Sequence, residues 1–244
     1  MNVGGHSALA GLWVYLHAQP LFWLTATLAA YGCGAALHER AGRSPAVNAV
    51  AIAVGLLVAL LLGTGTSYAT YFEGAQFVHF LLGPATVALA VPMFRHRHVV
   101  ARAWLPLLAA LLAGSVTAAA SAMAVAWALG ADWQSVLSLA PKSVTTPIAM
   151  GISERIGGVP SFTAVLVMVT GILGAIIARP VLDALGVRDW RARGFAAGLA
   201  AHGLGTARAF QVDQLAGTFA GIAVGLNGIA TSVLVPLLVE VVGR

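Results

Sequence analysis

Cysteine and charged residues are scarce in this chain of 244 residues. Cys33 is the only cysteine, so an intrachain disulfide is excluded and a metal site built on thiolates is not expected. Only 9% of the residues are charged, and no stretch is polar enough to form a separate soluble domain. The sequence also lacks a phosphate-binding loop, a zinc-ligand spacing and a dinucleotide-binding motif. We therefore expect no metal, no cofactor, no catalytic residues and no enzymatic activity.

Long apolar stretches dominate what is present. Hydrophobic residues make up 59% of the chain, and its mean hydropathy is +0.90. Several stretches reach the roughly 20 residues that a helix needs to cross a bilayer, and none alternates like a membrane β-barrel strand. We predict an all-α, polytopic helical membrane protein forming a single integral membrane domain (1–244), with an N-terminal extension (1–20) that lacks the basic start of a signal peptide. The expected membrane segments are 21–37, 46–62, 75–94, 103–130, 160–178 and 215–239.

The distribution of charge indicates how these segments are oriented. Lys and Arg number 13 against 8 Asp and Glu, an excess that we attribute to orientation in the membrane rather than to nucleic-acid binding. Loops 38–45 and 95–102 are basic, whereas 63–74 has one acid and no base. The positive-inside rule therefore predicts cytoplasmic positions for the two basic loops and an N-terminus outside. We expect a multi-pass protein of the bacterial cytoplasmic (inner) membrane.

Segment 134–153 does not fit this alternation. If it crossed the membrane fully, loop 178–194, which carries four arginines, would lie outside. We predict instead that the segment enters from the outer side, breaks between Pro141 and Pro147, and returns. The alternative is a full crossing built from two half-helices, with the arginine loop as an exception to the charge rule.

Two further segments contain helix-breaking residues. Segment 194–210 has four glycines together with a histidine and an arginine, and segment 79–92 contains a Gly-Pro pair. The letters PATV in the second of these echo PKSV at 141–144. Because internal repeats are common in transporters, the sequence suggests interrupted or re-entrant helices, and an inverted-repeat transporter fold is one way to arrange them.

Broken helices at membrane depth provide the chemistry of an anion site. An unpaired backbone group costs several kcal/mol in lipid, so a break persists only beside protein or a water-filled cavity. The second half-helix then begins with unpaired N–H groups and the positive end of its dipole. Hydroxyl and cationic side chains at these breaks suit a small hydroxylated carboxylate, and His202 is the candidate for a coupling proton. The predicted substrate-binding residues are Thr86, Lys142, Ser143, Thr145, Thr146, Gly203, Gly205, Thr206 and Arg208.

Each of these side chains also has a purely structural interpretation. Lys142 could snorkel to the outer surface from an ordinary helix end. Thr145 and Thr146 could bond back to their own helix. His202 could be a packing residue, and Arg208 could be one more cytoplasmic orienting charge.

Small residues also form a stripe on the last apolar segment. Gly217, Gly221 and Gly225 recur at every fourth position, which favours close helix packing at either a homodimer face or an internal contact. Asn227 on the same segment is interpreted as hydrogen-bonding glue between helices rather than as part of the site.

Several stretches resemble the LrgB/CidB family of membrane proteins. The most specific are KSVTTPIAM (142–150) and AHGLGTARA (201–209). FLLGPATVALAVP (80–92) and the small-residue last helix fit the same pattern. The resemblance covers nearly the whole chain from residue 20 onward.

The resemblance implies two functions. Bacterial members are described as modulators of murein hydrolase activity and autolysis that work with a small holin-like LrgA/CidA partner. A plastid member transports glycolate and glycerate, and bacterial relatives are linked to pyruvate uptake. Because the site chemistry suits such anions, we expect a secondary transporter of small monocarboxylates (glycolate, glycerate or pyruvate) coupled to protons or another cation. The alternative is a holin/antiholin-like membrane regulator of murein hydrolases.

Overall fold

The structure is a computed structural model that describes residues 19–44, 47–81, 84, 91, 94 and 97–242. All regular elements in these ranges are helices. Thr86 and most of segment 79–92 lie outside the described residues. The helices are α1 (Pro20–Arg40), α2 (Ala49–Thr64), α3 (Tyr68–Phe80), α4 (Arg97–Arg102), α5 (Trp104–Ala128), α6 (Trp133–Leu139), α7 (Thr146–Ile156), α8 (Pro160–Ala184), α9 (Trp190–Val212) and α10 (Gln214–Val242).

The chain divides into two compact units, Met1–Ala88 and Leu89–Arg244. In the first unit, α1 packs against both α2 and α3. Trp23 of α1 is fully buried, and its ring meets that of Tyr71 edge-on at 5.8 Å. Gly74 makes this packing possible, because a Cβ at that position would overlap the backbone and side chain of α1. The prediction of one integral domain remains a prediction.

In the second unit, the helix ends gather at two opposite ends. At the first, which we call the arginine end, the start of α5 and the start of α9 line one cavity, and Arg193 of α9 pairs with Asp183 of α8 at 2.7 Å. At the second, which we call the opposite end, the end of α5, the start of α6 and the end of α10 line another cavity. Helices α5, α8 and α10 have 25, 25 and 29 residues, enough to connect the two ends across a membrane.

Helices α6 and α7 form hairpin 1 (133–156), which leaves the opposite end and returns to it. The two legs are separated by a non-helical break at 140–145. Thr163, near the start of α8, has its Oγ1 2.9 Å from the carbonyl oxygen of Ser138 and 2.7 Å from Oγ of Ser153. The chain therefore contacts the start of α8 both before and after the break, and it returns to that level instead of crossing.

Helix α9 is itself a hairpin, hairpin 2 (190–212), and it starts from the arginine end. Its backbone leaves helical geometry at 201–202. Beyond this break, Gly205 packs so closely on the first leg that a Cβ there would overlap the carbonyl oxygen of Ala197. The last residue of the helix lines the same cleft as its first. The second leg thus returns along the first, and the two hairpins enter the unit from opposite ends.

A capping aspartate begins each hairpin. Asp132 accepts the backbone N–H of Ser135 at 3.0 Å, and Asp189 accepts that of Arg191 at 2.8 Å. The hydrogen bond from the Ser135 side chain lowers the pKa of Asp132, and the one from the Arg191 side chain lowers the pKa of Asp189. Both carboxylates therefore stay ionised at helix N-termini, where the helix dipole favours negative charge.

Within the described part of the chain, four helices, α1, α5, α8 and α10, are long and apolar enough to cross a membrane. Together with the two hairpins, they confirm the predicted class, an all-α polytopic membrane protein with interrupted or re-entrant helices. The path of hairpin 1 agrees with the prediction, made from the distribution of charge, that segment 134–153 does not cross the membrane.

The path of hairpin 1 can be checked by thiol labelling in a Cys33→Ser background, since Cys33 is exposed. Leu129→Cys and Arg155→Cys should react with a membrane-impermeant reagent from the same side, and Arg188→Cys from the other side. All three positions are exposed, and hairpin 1 connects the first two at one end. Reaction of positions 155 and 188 from the same side would contradict the re-entrant path.

Candidate functional site

The tips of the two hairpins meet at Asn227, which lies midway along α10. Its Nδ2 donates to the carbonyl oxygen of Ser143 at 3.2 Å and to that of Leu199 at 3.1 Å. Ser143 lies in the break of hairpin 1, and Leu199 lies in the last turn before the break of hairpin 2. Carbonyls at such positions have no partner further along their own helix. One amide therefore satisfies a backbone acceptor from each hairpin.

The other face of the same amide is also fully used. Oδ1 of Asn227 accepts Oγ of Ser115 on α5 at 2.7 Å and Oγ1 of Thr231 at 3.0 Å. All three side chains are buried. An asparagine amide has two donor hydrogens and an oxygen with two lone pairs, so every position is occupied. Asn227 thus joins α5, α10 and both hairpin tips in one polar network, as its interpretation as interhelical glue predicted.

Lys142 stands at the break of hairpin 1. Its side chain is half-buried, and Nζ lies 3.4 Å from Oγ of Ser143. It lines an open groove of about 500 Å³ together with Ser121 and Ala122 of α5. None of the ion pairs between described residues includes Lys142. A cation at this depth needs an anion or water as its partner, which makes it a candidate ligand group.

The start of α7 adds two hydroxyl groups beside this lysine. Thr145 is the N-cap residue of α7, yet its side chain makes no capping hydrogen bond. Both Thr145 and Thr146 are half-buried, and among the described residues neither hydroxyl bonds back to its own helix. The threonine hydroxyls therefore do not cap the first N–H groups of α7, and both remain available.

His202 forms the break of hairpin 2. Its φ of +42° and ψ of −133° lie in a region that non-glycine residues rarely adopt, at a cost of about 1–3 kcal/mol. Its Nε2 donates to the carbonyl oxygen of Val167 on α8 at 2.9 Å, and Oγ1 of Thr206 donates to its carbonyl oxygen at 3.0 Å. Gly171 leaves the space that the buried imidazole fills. The ring therefore anchors hairpin 2 to α8, and its proposed part in proton coupling remains a prediction.

The other predicted residues of hairpin 2 lie in different surroundings. Gly203 is exposed with open space around it, whereas Gly205 is used for contact between the two legs. Thr206 is buried. Arg208 lines a cleft that leads to the arginine end, and Lys142 lines the groove on α5, so the two cations face different cavities. The structure brings the two breaks together but places Arg208 away from Lys142.

Two residues near the breaks were not predicted from the sequence. Ser115 holds the oxygen of Asn227, and Ser121 lines the Lys142 groove. Both lie in α5, an unbroken helix that contains no charged residue and no Gly-Pro pair. A buried asparagine on a glycine-rich helix was the one pattern that could have indicated where the breaks converge.

Comparisons with known proteins identify the family of the chain. The model of the LrgB-like family matches residues 27–241. The uncharacterized protein YxaC of Bacillus subtilis (strain 168) is 36% identical over 213 residues, which cover 87% of this chain and 92% of the relative. The antiholin-like protein LrgB of Bacillus mycoides (strain KBAB4) is 30% identical over 224 residues, covering 92% of this chain and 97% of the relative. No solved structure gives a significant match.

Replacing Asn227 with leucine should destabilise the fold strongly. The change leaves two buried carbonyl oxygens and two buried hydroxyls without their partner, and each unsatisfied group costs about 1–3 kcal/mol. Thermal unfolding of the purified protein in detergent measures the effect. Ser232→Ala is the matched control on α10, because that hydroxyl bonds only the carbonyl oxygen of Gly228 on its own helix. Equal melting temperatures for the two variants would contradict the role of Asn227.

Two alanine substitutions in hairpin 2 should behave in opposite ways. Gly205→Ala places a methyl group against the carbonyl oxygen of Ala197 and should cost about 1–3 kcal/mol through overpacking. Gly203→Ala meets no atom within 4 Å and should be neutral or stabilising by up to about 1 kcal/mol. Unfolding temperatures of the two variants measure the difference. If Gly205→Ala were tolerated as well as Gly203→Ala, the second leg could not lie against the first.

Proposed function

Because the chain belongs to the LrgB-like family, as its sequence motifs predicted, we propose that it acts as an antiholin-like membrane protein, the term in the name of its Bacillus mycoides relative. We further propose that its physical activity is the transport of a small monocarboxylate anion. The two roles concern one protein at two levels, because a flux of carboxylate changes the proton balance across the membrane.

The observation that carries the transport proposal is Lys142 at the break of hairpin 1. A lysine inside the membrane region is costly unless an anion or water compensates it, and no described carboxylate pairs with it. The start of α7, with the positive end of its dipole, lies directly beyond. The hydroxyls of Ser143, Thr145 and Thr146 surround the same break. A small carboxylate with a hydroxyl or oxo group, such as glycolate, glycerate or pyruvate, matches these groups.

The arrangement of the hairpins supports passage as well as binding. Hairpin 1 enters from the opposite end and hairpin 2 from the arginine end, and their tips share Asn227 midway along α10. Each hairpin replaces a full membrane helix by a short helix pair that reaches only to the middle. An anion at the tips is thus separated from each end by one hairpin rather than by a continuous packed bundle.

Accumulation of an anion requires a coupled cation. Moving one negative charge into a cell against the membrane potential costs about 2.3 kcal/mol per 100 mV. A proton is one candidate, and His202 is the titratable side chain at the tip of hairpin 2. We propose proton or other cation coupling on this basis.

The regulatory role calls for partners. We propose that an LrgA/CidA-type membrane protein is one, and a second copy of this chain is another candidate. In the glycine stripe of α10, Gly217 is covered internally by the ring of Phe210, whereas Gly225 is exposed with open space around it. Of the two, only Gly225 is available for contact with another helix.

Uptake into liposomes that contain only this chain distinguishes transport from a purely regulatory role. A transporter should give saturable uptake of labelled glycolate or pyruvate, and Lys142→Gln should lower that uptake at least about tenfold, since a charge-assisted hydrogen bond contributes about 1.5–3 kcal/mol. Arg155→Gln removes one positive charge from the exposed end of hairpin 1 and should leave uptake unchanged. Absence of saturable uptake by the unsubstituted chain would leave the antiholin-like role without transport. Equal losses of uptake and of folded protein in Lys142→Gln would make the lysine structural.

A further inference from the structure

We propose that a cleft at the arginine end binds the phosphate group of an anionic lipid. The cleft lies between α8 and the two legs of hairpin 2, and its free volume is about 50 Å³. Three arginines line it, one from each wall: Arg179 from α8, and Arg193 and Arg208 from the two legs of hairpin 2. Among the described residues, none of those that line the cleft is acidic, and Asp183 is the one carboxylate that pairs with its arginines. This site is separate from the Lys142 groove and does not depend on the proposed transport.

The geometry prepares the cleft for an oxyanion. Arg193 is held in place by three contacts: Nη1 lies 2.7 Å from Asp183 and 2.7 Å from the carbonyl oxygen of Val187, and the guanidinium lies over the ring of Trp190 at 5.1 Å. Its side chain is only 11% exposed. A guanidinium fixed in this way retains its N–H donors on Nε and Nη2 for phosphate oxygens, without further loss of side-chain freedom.

Two arginines share a single carboxylate at this cleft. Asp183 pairs closely with Arg193, and Nε of Arg179 lies 3.7 Å from its other oxygen. Arg208 adds a third guanidinium on the facing leg. Like charges gathered at a surface of low dielectric repel one another, so an anion placed between them is favoured.

The surroundings of the cleft favour a lipid over a free ion. Trp190 is one of the lining residues and is 39% exposed, as expected for an aromatic residue at the membrane–water interface. Most of the remaining wall is alanine, glycine, leucine and valine, which leaves no further polar group for a fully hydrated ion. Basic pockets between membrane helices that combine these features bind the head groups of anionic lipids.

The test uses the purified full chain in nanodiscs of phosphatidylcholine to which phosphatidylglycerol is added in steps. Retained phosphatidylglycerol is counted by native mass spectrometry, and unfolding temperature is recorded in parallel. The unsubstituted protein should retain phosphatidylglycerol and melt at a higher temperature with it. Arg179→Gln should weaken the apparent affinity about fivefold, and the double variant Arg179→Gln/Arg208→Gln about 25-fold, since each basic residue near the surface contributes about a factor of five. Arg155→Gln, with the same charge change at the opposite end, should match the unsubstituted protein.

Arg179→Gln keeps the test decisive if the double variant does not fold, because Arg179 is 66% exposed and its replacement should not affect folding. Equal affinity of Arg179→Gln and Arg155→Gln for phosphatidylglycerol would overturn the proposal. So would equal stabilisation by inorganic phosphate in discs of phosphatidylcholine alone, which would indicate a site for free anions. Uptake is not measured here, so the result is independent of whether the chain transports carboxylates.

Discussion

Backbone carbonyl groups inside a lipid layer need donors, and each broken helix leaves some that its own next turn cannot reach. In this protein one side chain supplies donors to both breaks, because Asn227 Nδ2 bonds Ser143 of hairpin 1 and Leu199 of hairpin 2. A single nitrogen can do so only if the two tips lie within a few ångströms of each other. The hydrogen-bonding demand of the breaks therefore fixes where the two hairpins end, and the position of Asn227 on α10 fixes how deep that point lies.

Small residues allow the hairpins to reach this point. A Cβ at Gly194 or Gly198 would overlap the backbone of α10 at Ala216 or Ala220, so the first leg of hairpin 2 lies almost in backbone contact with that helix. Packing of this kind is how membrane helices associate when lipid and side chains are equally apolar. The same principle operates around the break, where Gly171 of α8 leaves room for an imidazole. Close packing at these glycines therefore allows the tips of the hairpins to reach Asn227.

The sequence predicts the first hairpin better than the second for a physical reason. Proline has no N–H and its ring clashes with the preceding turn, so Pro141 favours the end of a helix, and the arginines of 178–194 indicate that the chain returns. The break of hairpin 2 instead falls on His202, which has a positive φ. Local propensity would place a positive φ at the neighbouring Gly203, because glycine adopts it readily. An interruption in 194–210 could be predicted from its glycines, but not where the second leg turns. The direction of Arg208 depends on that turn, and it therefore faces the arginine end rather than Lys142.

Arg193 and Lys142 differ in the groups that compensate their charges, and this difference bears on the proposed function. Arg193 at the arginine end pairs with Asp183 of the same chain, so its charge is partly compensated within the fold. Among the described residues, the side chain of Lys142 has a hydrogen bond only to the hydroxyl of Ser143 and belongs to no ion pair. An uncompensated lysine is costly at membrane depth. An apolar residue there would fold at a lower cost. Binding of an anion at the break, as proposed above, would offset this cost, so the transport proposal depends on Lys142 and not on the paired arginine.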